Sequence, residues 1–476
     1  MESGGNTCSL FVFFRKERTN MQAPRTNKME TAPVSKLLLS ISLPIMLSMM
    51  VQALYNVVDS IFIARYSEKA LSAVSLTFPM QTLMIAVGIG TCIGVNAFLA
   101  RTLGQKNMGK AKIIVQHGAL LALFAYFIAL LIGLFLTRQF FTLQTTDAEI
   151  VSYGIDYMSV CMVFSFSMFG QQLFEKLLQA SGRSMFSMIS QIIGAIVNII
   201  LDPILIYGLG GFPSLGAKGA AIATVIGQTM GFICAFFFHQ RYNKELKLSF
   251  TGFKFDFAIV KEIYKIGLPA MIMQAIGSIT NFLLNGVFLT FSTITTAAYG
   301  ICARLQNFVF MPVYGLTSGM LPIMSYNYGA KQKERILSTR RYALLYMAVI
   351  VLVGTAIIQI LPNQLLGLFG ASDEMRQIGL PALRIISISF IFEGFCLISQ
   401  TSFQSVGRNR TSLICSVTRQ IVTLFPLAYI LSLSGNINYV WVAFPVAYAL
   451  NAILSLVLWK DVKKKNIDTL SSAEYY

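Results

Sequence analysis

The sequence predicts an all-α polytopic membrane protein in which twelve transmembrane helices form two pseudo-symmetric six-helix lobes. Of the 476 residues, 55% are apolar and only 12% are charged, whereas an average soluble domain has about 25% charged residues. Apolar runs long enough to span a bilayer recur along almost the whole chain. The second half also repeats the first at a constant offset of 225 residues. Together these observations exclude a soluble globular protein.

The polar breaks between the apolar runs place the helices and the domains. The predicted helices are 36–65, 71–100, 113–137, 153–180, 185–208, 217–240, 261–290, 296–326, 338–361, 378–405, 411–434 and 438–460. We expect an N-lobe at 29–240, a cytoplasmic linker at 241–257 and a C-lobe at 258–465. Residues 1–28 are expected to be a disordered N-terminal extension, with Met21 or Met29 as alternative starts, and 466–476 a cytoplasmic tail.

The distribution of basic residues predicts the orientation. The chain has 37 Lys and Arg against 20 Asp and Glu, but they gather in short loops, so we expect no nucleic-acid partner. The loops after even-numbered helices are rich in Lys and Arg, whereas those after odd-numbered helices are nearly free of them. By the positive-inside rule both termini are cytoplasmic. We therefore predict a multi-pass protein of the cell membrane, in the bacterial inner membrane, with the lipid bilayer as its surroundings.

The internal repeat predicts how the lobes are related. Leu43-Pro44 matches Leu268-Pro269, and Gly104 matches Gly329, without a gap in register. An offset of six helices is even, so the two repeats share one orientation and are related by an axis along the membrane normal. Two parallel halves around a midplane cavity are typical of transporters that work by alternating access. Both halves of the pathway lie in one chain, which favours a monomer.

Two acids inside apolar helices are the strongest indication of function. Asp59 and Asp202 each lie at membrane depth, where a charged side chain costs about 2.5–3.5 kcal/mol on insertion scales. Both are expected roughly 8–9 Å inside the external boundary at 1.5 Å per residue. Two acids at one depth in one lobe can share a proton or a cation. The alternative is a pair of buried acids satisfied by Asn and Tyr partners.

Polar neighbours accompany both acids. On the first helix Gln52 and Asn56 share a stripe with Asp59, with Tyr55 beside it, and on the fifth helix Gln191 and Asn198 share one with Asp202. Such stripes must face protein or water, since lipid cannot satisfy them. No cofactor is indicated. The coupling ion is H⁺ or Na⁺, and Na⁺ would bind at the two aspartates and Asn198.

The second half carries different polar groups. At the positions equivalent to the two aspartates stand Leu284 and Leu427. The uncharged stripe on the seventh helix either lines a substrate cavity or pins helices together, and it consists of Gln274, Ser278, Asn281 and Asn285. Glu393 and Arg419 lie mid-span and predict an internal salt bridge or, alternatively, a substrate or cation site. Glu175, near an inner helix end, is interpreted as a gate or loop contact.

Several of these segments together resemble the multidrug and toxic compound extrusion (MATE) family, on its bacterial DinF-like or MepA-like side. The resemblance is carried over roughly residues 30–465 by Leu43-Pro44, the segment from Leu54 to Asp59, Gly104, the segment from Gln179 to Arg183, Asn198 with Asp202-Pro203, and the run from Gly219 to Thr224. The combination is specific, although each piece alone is weak.

The resemblance implies a function and a site. It implies two lobes that rock between inward-open and outward-open states and export cationic, lipophilic compounds against a proton or sodium gradient. Asp59, Asn198 and Asp202 resemble the family's first-lobe ion site. The residues that resemble its surroundings are Gln52, Tyr55, Asn56 and Thr224. Another branch of the family has acids on the seventh and tenth helices. In this chain the seventh helix has none, and only Glu393 could correspond to the acid on the tenth.

Other functions remain as alternatives. A flippase of lipid-linked oligosaccharides, in the wider superfamily, would favour extra helices and a strongly basic cavity. A membrane-embedded enzyme would need a metal or nucleophile constellation, and the sequence has no HExxH, GxSxG or CxxC motif, so an enzyme is not expected. A channel does not require the two-lobe repeat.

Overall fold

Long helices dominate the protein. The structure, a computed structural model, describes residues 28–470. Within them, ten helices are long and apolar enough to cross a membrane, and two bent pairs raise the number to twelve if each pair is one span. In chain order the spans are α1 Val34–Tyr66, α2 Phe78–Gly104, α3 Met108–Phe135, α4 Ala148–Val163 with Phe166–Ala180, α5 Ser184–Tyr207, α6 Gly216–Tyr242, α7 Phe257–Leu289, α8 Thr293–Gly329, α9 Lys333–Ile360, α10 Asp373–Ile388 with Phe390–Ser405, α11 Asn409–Ser432 and α12 Ile437–Ile467.

Shorter helices flank these spans. They are Lys28–Thr31, Glu68–Leu76, Thr137–Gln144, Leu209–Gly211, Lys244–Leu246 and Pro362–Leu368. The second predicted helix, 71–100, is therefore wrong at its start, because Glu68–Leu76 ends before Thr77 and α2 begins at Phe78. Pro79 in the first turn of α2 explains the break, since proline has no backbone N–H to continue the preceding helix. The predicted polytopic, all-helical class is confirmed.

Two of the predicted helices are bent rather than continuous. The segments of α4 meet at 47° and those of α10 at 44°. At each bend a serine hydroxyl donates to a backbone carbonyl, Ser165 to Met162 at 2.8 Å and Ser389 to Ile386 at 2.6 Å. Such local hydrogen bonds compete with the helical ladder and favour bending.

Glycines bring the two halves of the chain together from the middle of the bundle, at Gly90, to one of its ends, at Gly104. A Cβ on Gly90 of α2 would lie 2.8 Å from the carbonyl oxygen of Gly267 of α7, and one on Gly267 would lie 2.6 Å from that of Gly90. At the position 225 residues after Gly90, a Cβ on Gly315 of α8 would lie 2.6 Å from Cα of Met46 in α1. Equivalent pairs of helices, α2 with α7 and α8 with α1, thus meet backbone to backbone across the boundary between the halves. We call this end, which carries the basic connections 105–107, 243–256 and 330–332, the basic end.

The connection between the halves is packed against the helices. It runs from Asn243 to Asp256, shorter than the predicted linker 241–257, because α6 and α7 extend into it. The backbone N–H of Asp256 donates to Nε2 of His117 at 2.9 Å, and the Asn243 side chain donates to Ser181 at 2.9 Å. These contacts hold the connection against the first half.

Both ends of the described chain also dock on the bundle. Met29 is fully buried, and its carbonyl accepts a hydrogen bond from Arg335 of α9 at 2.9 Å. Residues 1–27 of the predicted disordered extension 1–28 lie outside the described residues, and Lys28 begins a helix. In the predicted tail 466–476, Asp468 forms an ion pair with Lys333 at 3.0 Å. Residues 471–476 lie outside the described part.

Candidate functional site

The close packing of α5 against α6 builds one wall of the site. A Cβ on Gly194 would lie 2.8 Å from the carbonyl oxygen of Gly227, and one on Gly227 would lie 2.7 Å from that of Gly194. These distances are shorter than any real Cβ contact, so glycine is required on both helices. Their approach brings Asn198 of α5 within hydrogen-bonding distance of Thr224 of α6, 3.4 Å between Nδ2 and Oγ1.

The buried carboxylate of Asp202 lies next to this wall. Asp202 has no exposed surface, and its Oδ1 accepts a hydrogen bond from Nδ2 of Asn198 at 3.3 Å. Asp59, half-buried on α1, lies close enough to interact electrostatically with Asp202. The structure therefore brings together the three residues of the predicted ion site.

Three buried oxygens of this group have no hydrogen-bond partner among residues 28–470. They are Oδ1 of Asp59, Oδ1 of Asn198 and Oδ2 of Asp202. Nearly all buried polar atoms in proteins are hydrogen-bonded, so each of these acceptors calls for a proton, a cation or water. Carboxylate and amide oxygens are hard ligands that suit a small cation as well as a proton. The donor set thus fits either of the predicted coupling ions.

A small polar cavity lies beside the two acids. Its volume is about 70 Å³, and it lies between α1, α4, α5 and α6. The polar residues in its wall include Gln52, Tyr55, Glu175, Gln191, Asn198 and Thr224. Asp59 and Asp202 lie one helical turn beyond Tyr55 and Asn198. Of the predicted neighbours, Asn56 is exposed and is not part of the wall.

Glu175 belongs to the cavity, although the sequence analysis interpreted it as a gate or loop contact. Its side chain is 8% exposed, and Oε1 accepts hydrogen bonds from Gln171 at 2.9 Å and Ser190 at 3.5 Å. A signal was present in the sequence. Gln171, Gln172 and Glu175 form a polar group within an otherwise apolar segment, and all three line the cavity.

In the second half the predicted substrate residues fall into two places. The stripe on α7, formed by Gln274, Ser278, Asn281 and Asn285, is exposed along its length. Glu393 is instead 6% exposed. Asn281 accepts a hydrogen bond from the Tyr299 hydroxyl at 2.9 Å, so this part of the stripe also joins α7 to α8.

The expected salt bridge between Glu393 and Arg419 is not formed. Within the described chain, no Arg419 nitrogen lies within 4 Å of the Glu393 carboxylate. Instead Nε2 of Gln306 donates to Oε2 of Glu393 at 2.7 Å, and the Arg419 guanidinium lies 5.4 Å from the centre of the Tyr448 ring. The amide of Gln306 therefore replaces the arginine as the partner of the carboxylate.

Comparison with known proteins assigns the chain to a family. The MatE family model matches residues 44–204 and again residues 269–430, which is more than half of the chain. The chain belongs to the MATE family. The repeated match falls on the two halves at nearly the same offset as the internal repeat.

Individual relatives agree with this assignment. The multidrug export protein MepA of Staphylococcus haemolyticus (strain JCSC1435) is 25% identical over 448 residues, which cover 94% of this chain and 98% of the relative. MepA of Staphylococcus aureus (strain MRSA252) is 24% identical over 431 residues, 90% of this chain and 94% of the relative. This MATE protein is thus MepA-like.

A solved structure shows the same fold. The outward-facing conformation of a multidrug resistance MATE family transporter of the MOP superfamily matches with a TM-score of 0.87. The sequence identity is 24%, and the match covers 94% of this chain and 99% of that one. The polytopic MATE fold is therefore established for this chain, a multi-pass membrane protein.

Proposed function

We propose that this MATE protein exports lipophilic organic cations from the cell, coupled to the entry of H⁺ or Na⁺ by alternating access. The observation that carries the proposal is the group of three buried, unpaired oxygens on Asp59, Asn198 and Asp202. A bound ion would satisfy these acceptors, and its release would leave them unsatisfied. The names of the MepA relatives support the export of multiple drugs.

The size of the cavity separates the ion site from the drug path. A cavity of about 70 Å³ holds a few waters or a small cation, whereas pockets for drug-sized ligands occupy about 300–1,000 Å³. In this conformation the cavity does not admit a drug-sized molecule, and we place drug binding outside it. The exposed polar faces of α1, with Asn56, and of α7, with Asn281, are the candidates, since both helices also carry the contacts between the halves.

Helix α1 links the ion site to those contacts. Asp59 lies in the half of α1 away from the basic end, and Ser42 and Met46, in the other half, pack against Gly319 and Gly315 of α8. Thirteen residues separate Met46 from Asp59, about 20 Å along a helix at 1.5 Å per residue. A movement of α1 on ion binding at Asp59 would thus be transmitted along the helix to its contact with α8 near the basic end. Coupling requires that the two states bind the ion with different affinity.

We further propose that the basic end faces the cytoplasm and that the chain works as a monomer. The concentration of Lys and Arg at this end supports the orientation. In that orientation, the contacts at the basic end close the cytoplasmic side.

The test is dye export by the purified chain in sealed vesicles, with a pH gradient and a Na⁺ gradient imposed separately. The wild type should export a cationic dye under one of the two gradients, and D59N and D202N should each lose this dependence. D156N is the matched control, because Asp156 is an exposed acid in α4. Gradient-driven export that survives in D59N would overturn the proposed coupling site.

A further inference from the structure

An apolar groove runs between α10 and α12 on the surface of the second half. Its volume is about 320 Å³, and its wall includes Phe392, Phe395, Ala449, Ala452, Ile453 and Leu456. The two alanines leave the groove open, because their side chains are too short to fill the space between the helices. Ile453 and Leu456 are exposed, so the groove opens to the surroundings of the bundle. Within a membrane span, an exposed apolar groove suits the acyl chain of a lipid.

A guanidinium lies at one end of this groove. Cζ of Arg340 in α9 lies 5.6 Å from the ring centre of Phe395, which is part of the groove wall, and 4.1 Å from that of Trp459 in α12. Nη2 of Arg340 donates to the Ser399 hydroxyl of α10 at 3.3 Å. The side chain thus joins three helices, and stacking on the aromatic rings fixes the plane of the guanidinium.

The guanidinium still has donors without acceptors. Nε of Arg340 is buried without a hydrogen-bond partner among residues 28–470, and Nη2 is the atom that bonds to Ser399. None of the ion pairs between described residues includes Arg340. The side chain is only half-buried, so an anion can approach it from outside. An anionic oxygen would accept strong, charge-assisted hydrogen bonds here.

The depth of Arg340 matches that of a lipid headgroup. In α9 no charged residue follows Arg341, and in α12 none precedes Lys460. Both helices therefore change from charged to apolar at the level of Arg340 and Trp459, and tryptophan is enriched at membrane–water interfaces. From Trp459 the groove extends into the apolar layer as far as Ala449, about 15 Å at 1.5 Å per residue. The guanidinium lies at the interface, and the groove lies in the hydrocarbon.

The internal repeat shows that the fold itself does not require this arrangement. At the positions 225 residues earlier, Val115 corresponds to Arg340 and Cys234 corresponds to Trp459. The first half thus has the same helices without the charged group or its aromatic partner. A buried donor that the repeat can do without is explained better by a ligand than by the packing of a six-helix lobe.

We propose that the groove and Arg340 form a binding site for one anionic phospholipid, whose acyl chain lies in the groove and whose phosphate accepts hydrogen bonds from Arg340. The guanidinium fork matches the geometry of a phosphate. Arg341 and Lys460 are exposed at the same level, and their charge favours an anionic lipid over a zwitterionic one. The inference is independent of the proposed export function.

The experiment measures which lipid remains bound to the purified chain. Native mass spectrometry is carried out in detergent with equal amounts of dioleoyl phosphatidylglycerol and dioleoyl phosphatidylcholine, which have the same acyl chains. The headgroup variants are R340Q and R340K, with R341Q as the matched control. The groove variant is A449L, and its control is L450F, because Leu450 is exposed on the same helix and lies outside the groove wall.

The wild type should retain one phosphatidylglycerol in preference to phosphatidylcholine. R340Q should retain about tenfold less of it, as expected for the loss of hydrogen bonds to a charged group, and R340K should lie between the two. A449L should bind either lipid about tenfold less, because the larger side chain excludes part of the acyl chain from the groove. R341Q and L450F should stay within about twofold of the wild type. Melting temperatures in lipid-free detergent show whether each variant is folded.

Other outcomes overturn the inference, each in its own way. Equal retention of the two lipids by the wild type would show that the headgroup is not recognised. An equal loss in R340Q and R341Q would reduce the effect to general attraction of the basic end. Displacement of the lipid by an equal concentration of inorganic phosphate would show that the groove contributes nothing. A dimer mass that disappears in A449L would show that the groove holds a second copy of the chain instead.

Discussion

Gly104 and Gly329 occupy equivalent places in the two halves of the chain, and each packs against the helix that carries the other. A Cβ on Gly104 would collide with the carbonyl oxygen of Tyr326, and a Cβ on Gly329 would collide with that of Arg101. Tyr326 is also the position that corresponds to Arg101 at the 225-residue offset. The contact at the basic end is thus reciprocal, and no side chain fits on either helix there.

Substituting one of these glycines should destabilise the packing of α2 against α8 at the basic end. In G329A the new methyl group must push α2 and α8 apart, at a cost of about 1–3 kcal/mol as in other overpacked interiors. A cysteine introduced near this end should therefore react faster with a membrane-impermeant reagent. G300A is the control, because a Cβ at Gly300 meets nothing within 4 Å. Equal labelling of both variants would show that the contact does not control closure.

Removing the amide of Asn198 should impair coupling more than stability. In N198L, Asp202 loses its hydrogen bond at 3.3 Å and the site loses one of its open oxygens. Gradient-driven export should drop by about tenfold, whereas T224V, which loses only the 3.4 Å bond to Asn198, should retain most of it. The measurement is the initial rate of dye export against the size of the imposed gradient. An N198L rate equal to that of the wild type would contradict the role of this amide.

The segment before α1 should contribute to stability. Arg335 donates to the carbonyls of Met29 and Ala32 at 2.9 and 2.8 Å and to Oδ1 of Asn327 at 3.1 Å. Hydrogen bonds to charged groups contribute about 1.5–3 kcal/mol each, and R335Q should lower the free energy of unfolding by at least the contribution of one of these three bonds. The measurement is thermal unfolding in detergent. R341Q, which changes an exposed arginine of the same helix, should leave the melting temperature unchanged.

The N-terminal cap of α4 should be lost only at low pH, when the Asp147 carboxylate is protonated. The backbone N–H of Ile150, the Lys69 ammonium and the N–H of Glu149 lower the pKa of Asp147, the residue that caps this helix. The cap is therefore complete above the unfolded pKa of about 3.9 and is lost as the pH falls through the lowered folded value. Hydrogen exchange at Glu149 and Ile150 should stay slow to about pH 4, after correction for intrinsic rates.

Two substitutions separate the cap from the ion pair with Lys69. D147A should speed exchange at all pH values, because it removes both. D147S should retain protection, since a serine hydroxyl also caps helices, and should remove the pH dependence. Protection in D147A equal to that of the wild type would show that the cap is not needed.

Hydropathy was sufficient to predict the apolar segments that form the ten long helices and the two bent pairs, because each apolar run had to be about as long as the bilayer is thick. It did not predict the bends at Ser165 and Ser389, where one hydroxyl competes for one carbonyl without changing the apolar character of the run. The stripe containing Asp59 and the one containing Asp202 predicted residues that the structure brings together. Helical spacing sets which side chains share a face, so this part could be found from the sequence.

Contacts between helices were harder to predict. Glu393 and Arg419 were recognised as buried charges, but opposite charge alone suggested a salt bridge. The amide of Gln306 is the actual partner of Glu393, and the π-helical turn at Thr418–Leu424 changes the direction of Arg419. Neither the competing Gln306 amide nor the π-helical turn produces a periodic pattern in the sequence, so neither could be predicted from it.

The docking of Met29 has a practical consequence for work with this protein. The residue is sealed between the halves, beside Gly182 on one side and within reach of Arg335 on the other. An affinity tag or fluorescent reporter joined close to Lys28 would therefore sit where the halves have to separate if the basic end opens. Labels for purification or imaging belong at the opposite terminus, beyond Leu470.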